Sequence, residues 1–345
     1  MGADYTADRK ASSQSLAPAI SLIIPTFNAA PYIARCLRSC ANQSFTNIEI
    51  IIIDDCGSDD SIKIAREFAT TDSRIRIIHN PKNLGTFHAR AHGIESARGA
   101  YCMFADPDDY LDLRACELAL ETIMREGVDV VHFGISYEPR TLMRIAPIVH
   151  RGRLEGDTMR LFLSGGNNTQ SLCDKIYPTH ILRLALQKLS FIEPPLLMLE
   201  DGLLALVASL ESQSYYGVPL PLYRYCFNPH SITKDKSRAN LNKKQQELDK
   251  MLTITHTLLD LYPKHTHLLT LYRRKIASTL LIESRHYTLP DLALSLQILD
   301  KHSLCLERQA HTYFQCALLS LRYAFRWQNL VRLLSFALTF GRLRL

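Results

Sequence analysis

The sequence has no run of about 18 uninterrupted apolar residues, the length a membrane-crossing helix requires, so the chain is expected not to be integral to a membrane. Its nine cysteines contain no CxxC pair, and an odd, scattered set argues for core thiols in a reducing, cytoplasmic compartment over a disulfide framework. The 13 histidines contain no HExxH, which argues against a zinc site. There is no secretory signal. Residues 1–17 are polar and small and are expected to form a disordered tail. No acid occurs after Glu307.

What is present is ordinary for a folded chain: 345 residues, 47% hydrophobic and 21% charged. That length supplies core for one large domain or two smaller ones. A formal charge of +6 suits anionic partners in general rather than nucleic acid in particular.

The first third alternates strand and helix. Ile20–Pro25 is a short apolar strand, and Pro31 can open a helix that carries Ile33, Cys36, Leu37 and Cys40 on one face. Ile48–Ile53 is a β-branched run of the kind buried on both faces of a parallel sheet. Ser58 or Asp59 can cap a helix near 61–68, Ile75–Ile78 is a third strand, and 86–97 is a third helix. A fourth strand, Ala100–Phe104, runs into Asp106-Pro107-Asp108-Asp109. This order predicts a mostly parallel α/β sheet with helices on both faces, and such sheets bind ligands beyond the carboxyl ends of their strands. Thr26 and Asn28, then Asp54 and Asp55, then Asp106, Asp108 and Asp109 all fall on that rim. Three acids within four residues need a cation or ordered donors to offset their repulsion. A hard divalent ion shared with a phosphate is the simplest such partner, and a solvated acidic turn is the alternative.

Further on, 113–126 reads as helix, Val128–Phe133 as strand, 140–153 as a basic hairpin or excursion, 164–168 as a loop, and 181–188 and 203–209 as helices. From about Lys234 the composition turns charged and then helical, with no strand signal. The expected division is 18–235, with halves 18–112 and 113–235, followed by a helical region 236–345. In 313–345, Arg322, Arg326, Asn329, Arg332, Ser335, Thr339 and Arg342 form a polar stripe on an otherwise apolar helix. A basic amphipathic helix of this kind suits an anionic membrane surface; docking on the protein or on a second subunit, as in a homodimer, is the alternative.

Four stretches in order also carry a family resemblance: Ser21-Leu22-Ile23-Ile24-Pro25-Thr26-Phe27-Asn28; Ile53-Asp54-Asp55-Cys56-Gly57-Ser58-Asp59-Asp60; Asn83-Leu84-Gly85-Thr86 with Ala89-Arg90; and Gly99-Ala100-Tyr101 leading into Asp106-Pro107-Asp108-Asp109. Residues 20–112 thereby resemble the family 2 glycosyltransferases of the GT-A fold. A fainter likeness to bacterial capsule and lipopolysaccharide transferases continues through Asp174-Lys175-Ile176-Tyr177, Phe191, Glu200-Asp201, Tyr223-Arg224-Tyr225 and His230-Ser231-Ile232-Thr233. Beyond about Lys236 it stops.

The resemblance implies transfer of a sugar from a nucleotide-diphosphate donor, usually with inversion. It makes Asp108 the direct ligand of Mn2+ or Mg2+, puts Asp106 on the donor ribose, and has Asp109 position the loop or the metal shell. Asp54 or Asp55, with Asp55 favoured, would accept from a pyrimidine base such as uracil, so that a UDP-sugar is the expected donor; Thr26 and Asn28 lie at the strand tip where the base rests. Arg90 would pair with acids of the site or with a phosphate. Asp201 is the expected general base, Glu200 the alternative, and Lys175 and His230 would meet the diphosphate or the acceptor. Two departures stand out: Ala91 where the family often has Asn, and Cys56 ahead of the Gly-Ser turn.

Other classes fit less well. A noncatalytic binding protein of the same fold has no need of Asp106, Asp108 and Asp201 together. A receiver-like signalling domain ends near 120 residues. A nucleotidyltransferase wants a glycine-rich basic loop after the first strand, where Thr26-Phe27-Asn28-Ala29-Ala30 stands. The expectation is therefore an inverting, metal-dependent glycosyltransferase, cytoplasmic and peripheral to the inner membrane, acting on a glycan or lipid-linked acceptor.

Overall fold

The computed structural model describes residues 17–139, 149–156, 158–163, 170–228, 237–284, 289–304, 318 and 327–338. The first strands form where the β-branched runs lie: β1 (Ile20–Thr26), β2 (Ile48–Asp54), β3 (Ile75–His79) and β4 (Tyr101–Phe104). They alternate with α1 (Ile33–Ala41), α2 (Ser61–Thr71) and α3 (Thr86–Ser96). Every residue of β1 is buried and β2 is buried up to Asp54, as expected of strands covered on both faces.

The second half adds β5 (Tyr110–Leu111), α4 (Ala115–Glu126), β6 (Val130–Glu138), β7 (Gly152–Glu155), α5 (Met159–Leu163), β8 (Lys175–Pro178), α6 (Thr179–Lys188), α7 (Glu200–Leu210) and β9 (Ser214–Cys226). The sheet order is β3-β2-β1-β4-β8-β6-β9-β5, with β7 on β9. β8 runs antiparallel to both β4 and β6, which leaves β1, β2, β3, β4, β6 and β9 pointing the same way. Their carboxyl ends share one rim. β5, two residues past the acidic turn, pairs with β9 and ties that turn to the far side of the sheet.

Four further helices follow: α8 (Arg238–Leu261), α9 (Thr266–Ser284), α10 (Leu289–Lys301) and α11 (Trp327–Leu338). α8 and α9 contribute Leu248, Met251, Leu252, Leu269, Tyr272 and Ile276 to the same hydrophobic cluster as the sheet. No helix among the described residues is long and apolar enough to cross a membrane. Of the amphipathic helix expected over 313–345, Leu318 and α11 are described and the remainder lies outside the described residues, as do 1–16, 140–148, 164–168 and His230. Along α11, Trp327, Leu330, Val331, Leu334 and Leu338 are exposed, a spacing that puts all five on one helical face.

Candidate active site

The β1–α1 and β2–α2 loops are fastened to each other. Thr26 is buried at the end of β1, opposite Asp54 in register, and the Asp55 amide donates to its carbonyl at 3.0 Å. Asn28, at φ 47°, accepts from the Ser58 amide at 2.8 Å, and the Ala30 amide donates to Asp59 at 2.8 Å. Gly57 allows this approach, since a Cβ there would sit 2.8 Å from the Asn28 nitrogen.

The two acids at the β2 tip do different things. Asp54 accepts from the Cys56 amide at 3.0 Å and lies 2.7 Å from His79 Nδ1. Asp55 is buried and accepts from Asn80 Nδ2 at 2.7 Å and from the amides of Leu84 and Gly85 at 2.9 Å each. Those three bonds use most of the roughly four acceptor positions of a carboxylate. The loop over 80–85 is thus folded around Asp55. It ends at Gly85, whose φ of 83° favours glycine.

The acidic turn after β4 separates its three carboxylates. Asp109 is 1% exposed and faces inward, accepting from the Tyr223 hydroxyl at 2.7 Å and the Cys226 amide at 2.6 Å. Burial, then the charges of Asp106 and Asp108, push its pKa well above the carboxylate range. The same Tyr223 oxygen accepts from the Asp106 amide at 3.1 Å, so one phenol clamps both ends of the turn. Asp108 accepts from Asn228 Nδ2 at 2.9 Å, while its carbonyl accepts from Arg35 Nη2 at 2.5 Å. Burial and then the Asp106 charge raise its pKa. Asp106 and Asp108 offer hard oxygen donors whose mutual repulsion a divalent cation would relieve, so the pair fits such an ion.

Opposite the turn, α7 opens with Glu200 and Asp201. Leu199 caps it in the left-handed region at φ 58°, a conformation that costs energy for a branched side chain and recurs at functional sites. Arg90, from α3, fills the space between. Its side chain is 3% exposed; Nη2 donates to Asp106 at 2.6 Å, Nη1 donates to Asp201, and Glu200 lies 3.6 Å away. Burial would lower the Arg90 pKa, but the charges of Asp201 and Asp106 win and hold it well above its usual value. Burial pushes Asp201 up to about 6, against the pull of Arg90, and pushes Glu200 up to about 8 with help from Asp201.

Sequence reasoning missed Cys173, which is buried with its sulfur, an Asp106 oxygen and an Asp201 oxygen all within 4.8 Å of one another. Burial and Asp106 push this thiol well up and keep it neutral, and the Arg90 cation already sits between the two carboxylates, so this trio is a poor cation site. Lys175 is directed elsewhere. Its ammonium donates to Asp174 at 2.5 Å and to the Ser171 carbonyl at 2.7 Å; Asp174 lies 3.0 Å from His132 Nε2, and His132 Nδ1 lies 2.8 Å from the Tyr215 hydroxyl. Tyr223, Asn228 and Arg35 are further site residues without an assigned role in the sequence; only Tyr223 falls in a stretch that had been singled out.

A parallel half-sheet closed by an antiparallel strand, with an acidic turn at the fourth strand tip and a facing acidic pair, defines the GT-A fold. Residues 21–175 match the model of Glycosyl transferase family 2, and this part of the chain belongs to that family. It is 44% identical over 105 residues to the putative glycosyltransferase EpsH of Bacillus subtilis, covering 30% of each chain, and 35% identical over 124 residues to the chondroitin synthase of Escherichia coli, covering 35% of this chain and 18% of that one. The matches therefore span less than half of either relative. Among solved structures, the S. aureus TarS 1–349 complex with UDP-GlcNAc superposes with a TM-score of 0.65 at 19% identity, over 94% of this chain and 93% of that one. The mannosyltransferase PcManGT of Pyrobaculum calidifontis, in complex with GDP-Man and Mn2+, does so with a TM-score of 0.52 at 14% identity, over 93% and 88%.

Proposed function

We propose that the protein is an inverting, metal-dependent glycosyltransferase that moves a sugar from a nucleotide-diphosphate donor, UDP-linked, to a glycan or lipid-linked acceptor in surface polysaccharide synthesis. The observation that carries this reading is Arg90 shared between Asp106 on the donor side and Asp201 on the facing helix. The UDP-GlcNAc bound by TarS and the GDP-Man and Mn2+ bound by PcManGT support a nucleotide-sugar donor and a divalent ion here.

In this reading, Asp108 and Asp106 hold Mn2+ or Mg2+, and the ion, when bound, offsets charge on the leaving diphosphate. Asp106 also meets the ribose. The fastened loops at Thr26, Asn28 and Asp54–Asp55 cradle the base, and Asp109 holds the acidic turn to β9. Asp201, poised near neutrality by burial, takes the proton of the acceptor hydroxyl on the face opposite the leaving group, which gives inversion. Arg90 keeps the base oriented and favours its charged form. Glu200, raised further, stays protonated beside it. Lys175 acts by holding Asp174 rather than by reaching the donor.

We take 18–235 as the catalytic unit and 236–345 as a helical region, with the outward apolar face of α11 and the arginines around it lying on the anionic inner surface of a membrane. A panel of UDP-sugars, with and without Mn2+, tests the activity. Metal-dependent transfer or donor hydrolysis is expected. Metal-dependent nucleotide binding without turnover would instead point to an inactive binding protein of this fold, which the Ala91 departure would suit. No binding at all would sink both readings.

A further inference from the structure

Buried cations in this protein come with acids. Arg90 has Asp106 and Asp201, and Lys175 has Asp174. Arg273, in the middle of α9, does not. It is 7% exposed, its Nε is sealed from solvent with no hydrogen-bond partner, and no carboxylate pairs with it. Arg274 beside it also has a buried Nε without a partner. A guanidinium withdrawn from water without a counter-charge is strongly unfavourable, and an apolar side chain of similar size would pack there at no such cost. Burial alone lowers the Arg273 pKa, with no acid opposing it.

The position of α9 gives this arginine a use. Tyr272, the preceding residue, puts its hydroxyl against Gly202, 3.3 Å from where a Cβ would lie, and Gln170 approaches the same point. Gly202 follows Asp201. α9 therefore stands against the first turn of the helix that presents the acidic pair, on the side away from the nucleotide loops at 26–28, 54–55 and 106–108. α5, which follows β7, packs on the same helix.

We infer that Arg273, with Arg274 beside it, is an anion-binding subsite on the acceptor side of the cleft, and that it takes a phosphate group carried by the acceptor. The guanidinium fork matches phosphate oxygens in pairs, and binding there supplies the missing counter-charge. This inference rests on the transferase reading for the word acceptor, but not for the anion.

The test uses the full chain with UDP saturating, so that the nucleotide site is filled. Inorganic phosphate, compared with chloride at equal ionic strength, should raise the thermal midpoint of the natural protein and leave Arg273→Met unmoved, while UDP stabilises both. An equal response in the two proteins, or none in the natural one, overturns the subsite. Arg273→Lys keeps the charge and loses the fork; it should retain only part of the phosphate response, and it carries the comparison if the Met variant fails to fold. In transfer assays, Arg273→Met should raise KM for a phosphorylated acceptor tenfold or more and leave KM for the UDP-sugar unchanged. An effect with a soluble phosphorylated oligosaccharide places the phosphate on the glycan. An effect only with an acceptor held in vesicles places it at the lipid. Unchanged acceptor KM with both overturns the assignment to the acceptor. If no protein turns over any sugar, the transferase reading has failed and the phosphate-dependent midpoint still decides the anion site.

Discussion

Arg90 binds Asp106 and Asp201 at once, one through each terminal nitrogen, and so joins the acidic turn of β4 to the first turn of α7. The donor-side acid and the candidate base answer to one cation. Removing the base should therefore leave the donor side intact. Asp201→Asn is expected to lower kcat by about 10²–10⁴, the usual worth of a positioned general base, with the Kd for UDP unchanged in calorimetry. Loss of UDP binding together with transfer would assign Asp201 to the donor instead.

The pH dependence follows from the same triad. Asp201 must be ionised to accept a proton, and burial has pushed it up to about 6, so kcat should rise with pH through about 6 and then level. Arg90 favours the ionised form. Its replacement in Arg90→Met raises the Asp201 pKa further, and the acidic limb of the kcat–pH profile should move to higher pH. A limb that stays in place or moves down would separate Arg90 from the base.

Tyr223 is a structural test of the acidic turn. Tyr223→Phe removes the donor to Asp109 and the acceptor for the Asp106 amide in one substitution. Leaving a buried carboxylate short of a donor costs about 1–3 kcal/mol. The urea midpoint should fall with an unchanged slope. An unaltered midpoint would mean that the clamp is not formed.

At the β2 tip, Asp55→Ala takes three donors' partner away from the loop over 80–85, whereas Asp54→Ala frees only the Cys56 amide and His79. Hydrogen exchange at the Leu84 and Gly85 amides should accelerate strongly in the first variant and little in the second. Equal protection in both would show that the loop is held by something other than Asp55.

Truncation after Tyr313 removes α11 with its exposed Trp327, Leu330, Val331, Leu334 and Leu338. The shortened protein should no longer sediment with anionic vesicles. Unchanged partitioning, or a change in oligomeric state instead, would assign this face to protein contacts.

The parallel half of the sheet was legible because β-branched runs such as Ile48–Ile53 have one physical use, and because each ended in polar residues at a single rim. The facing acidic pair was legible for a different reason, the resemblance around Glu200-Asp201. What the sequence did not disclose is which lone pairs are already taken. Asp54 and Asp55 look alike in a string, and only the fold shows that Asp55 is engaged with the loop of 80–85. Lys175 reads as a free cation, yet its neighbour in sequence is its partner. The His132–Asp174–Tyr215 network draws on β6, β8, the turn before it and β9, separations over which no local pattern runs. β9 itself, with its turn of register near Gly134, went unread because Pro219 and Pro221 interrupt its alternation.

Gly85 has one face on each half of the site. Its amide is held by Asp55, and a Cβ on it would lie 3.0 Å from both the Leu196 carbonyl and the Leu197 side chain, three to four residues before Glu200. The nucleotide loop and the segment that delivers the acidic pair therefore bear on each other with almost no compliant material between them. A displacement of the loop as a base enters reaches the helix start as mechanical push, at main-chain stiffness, before any charge has changed.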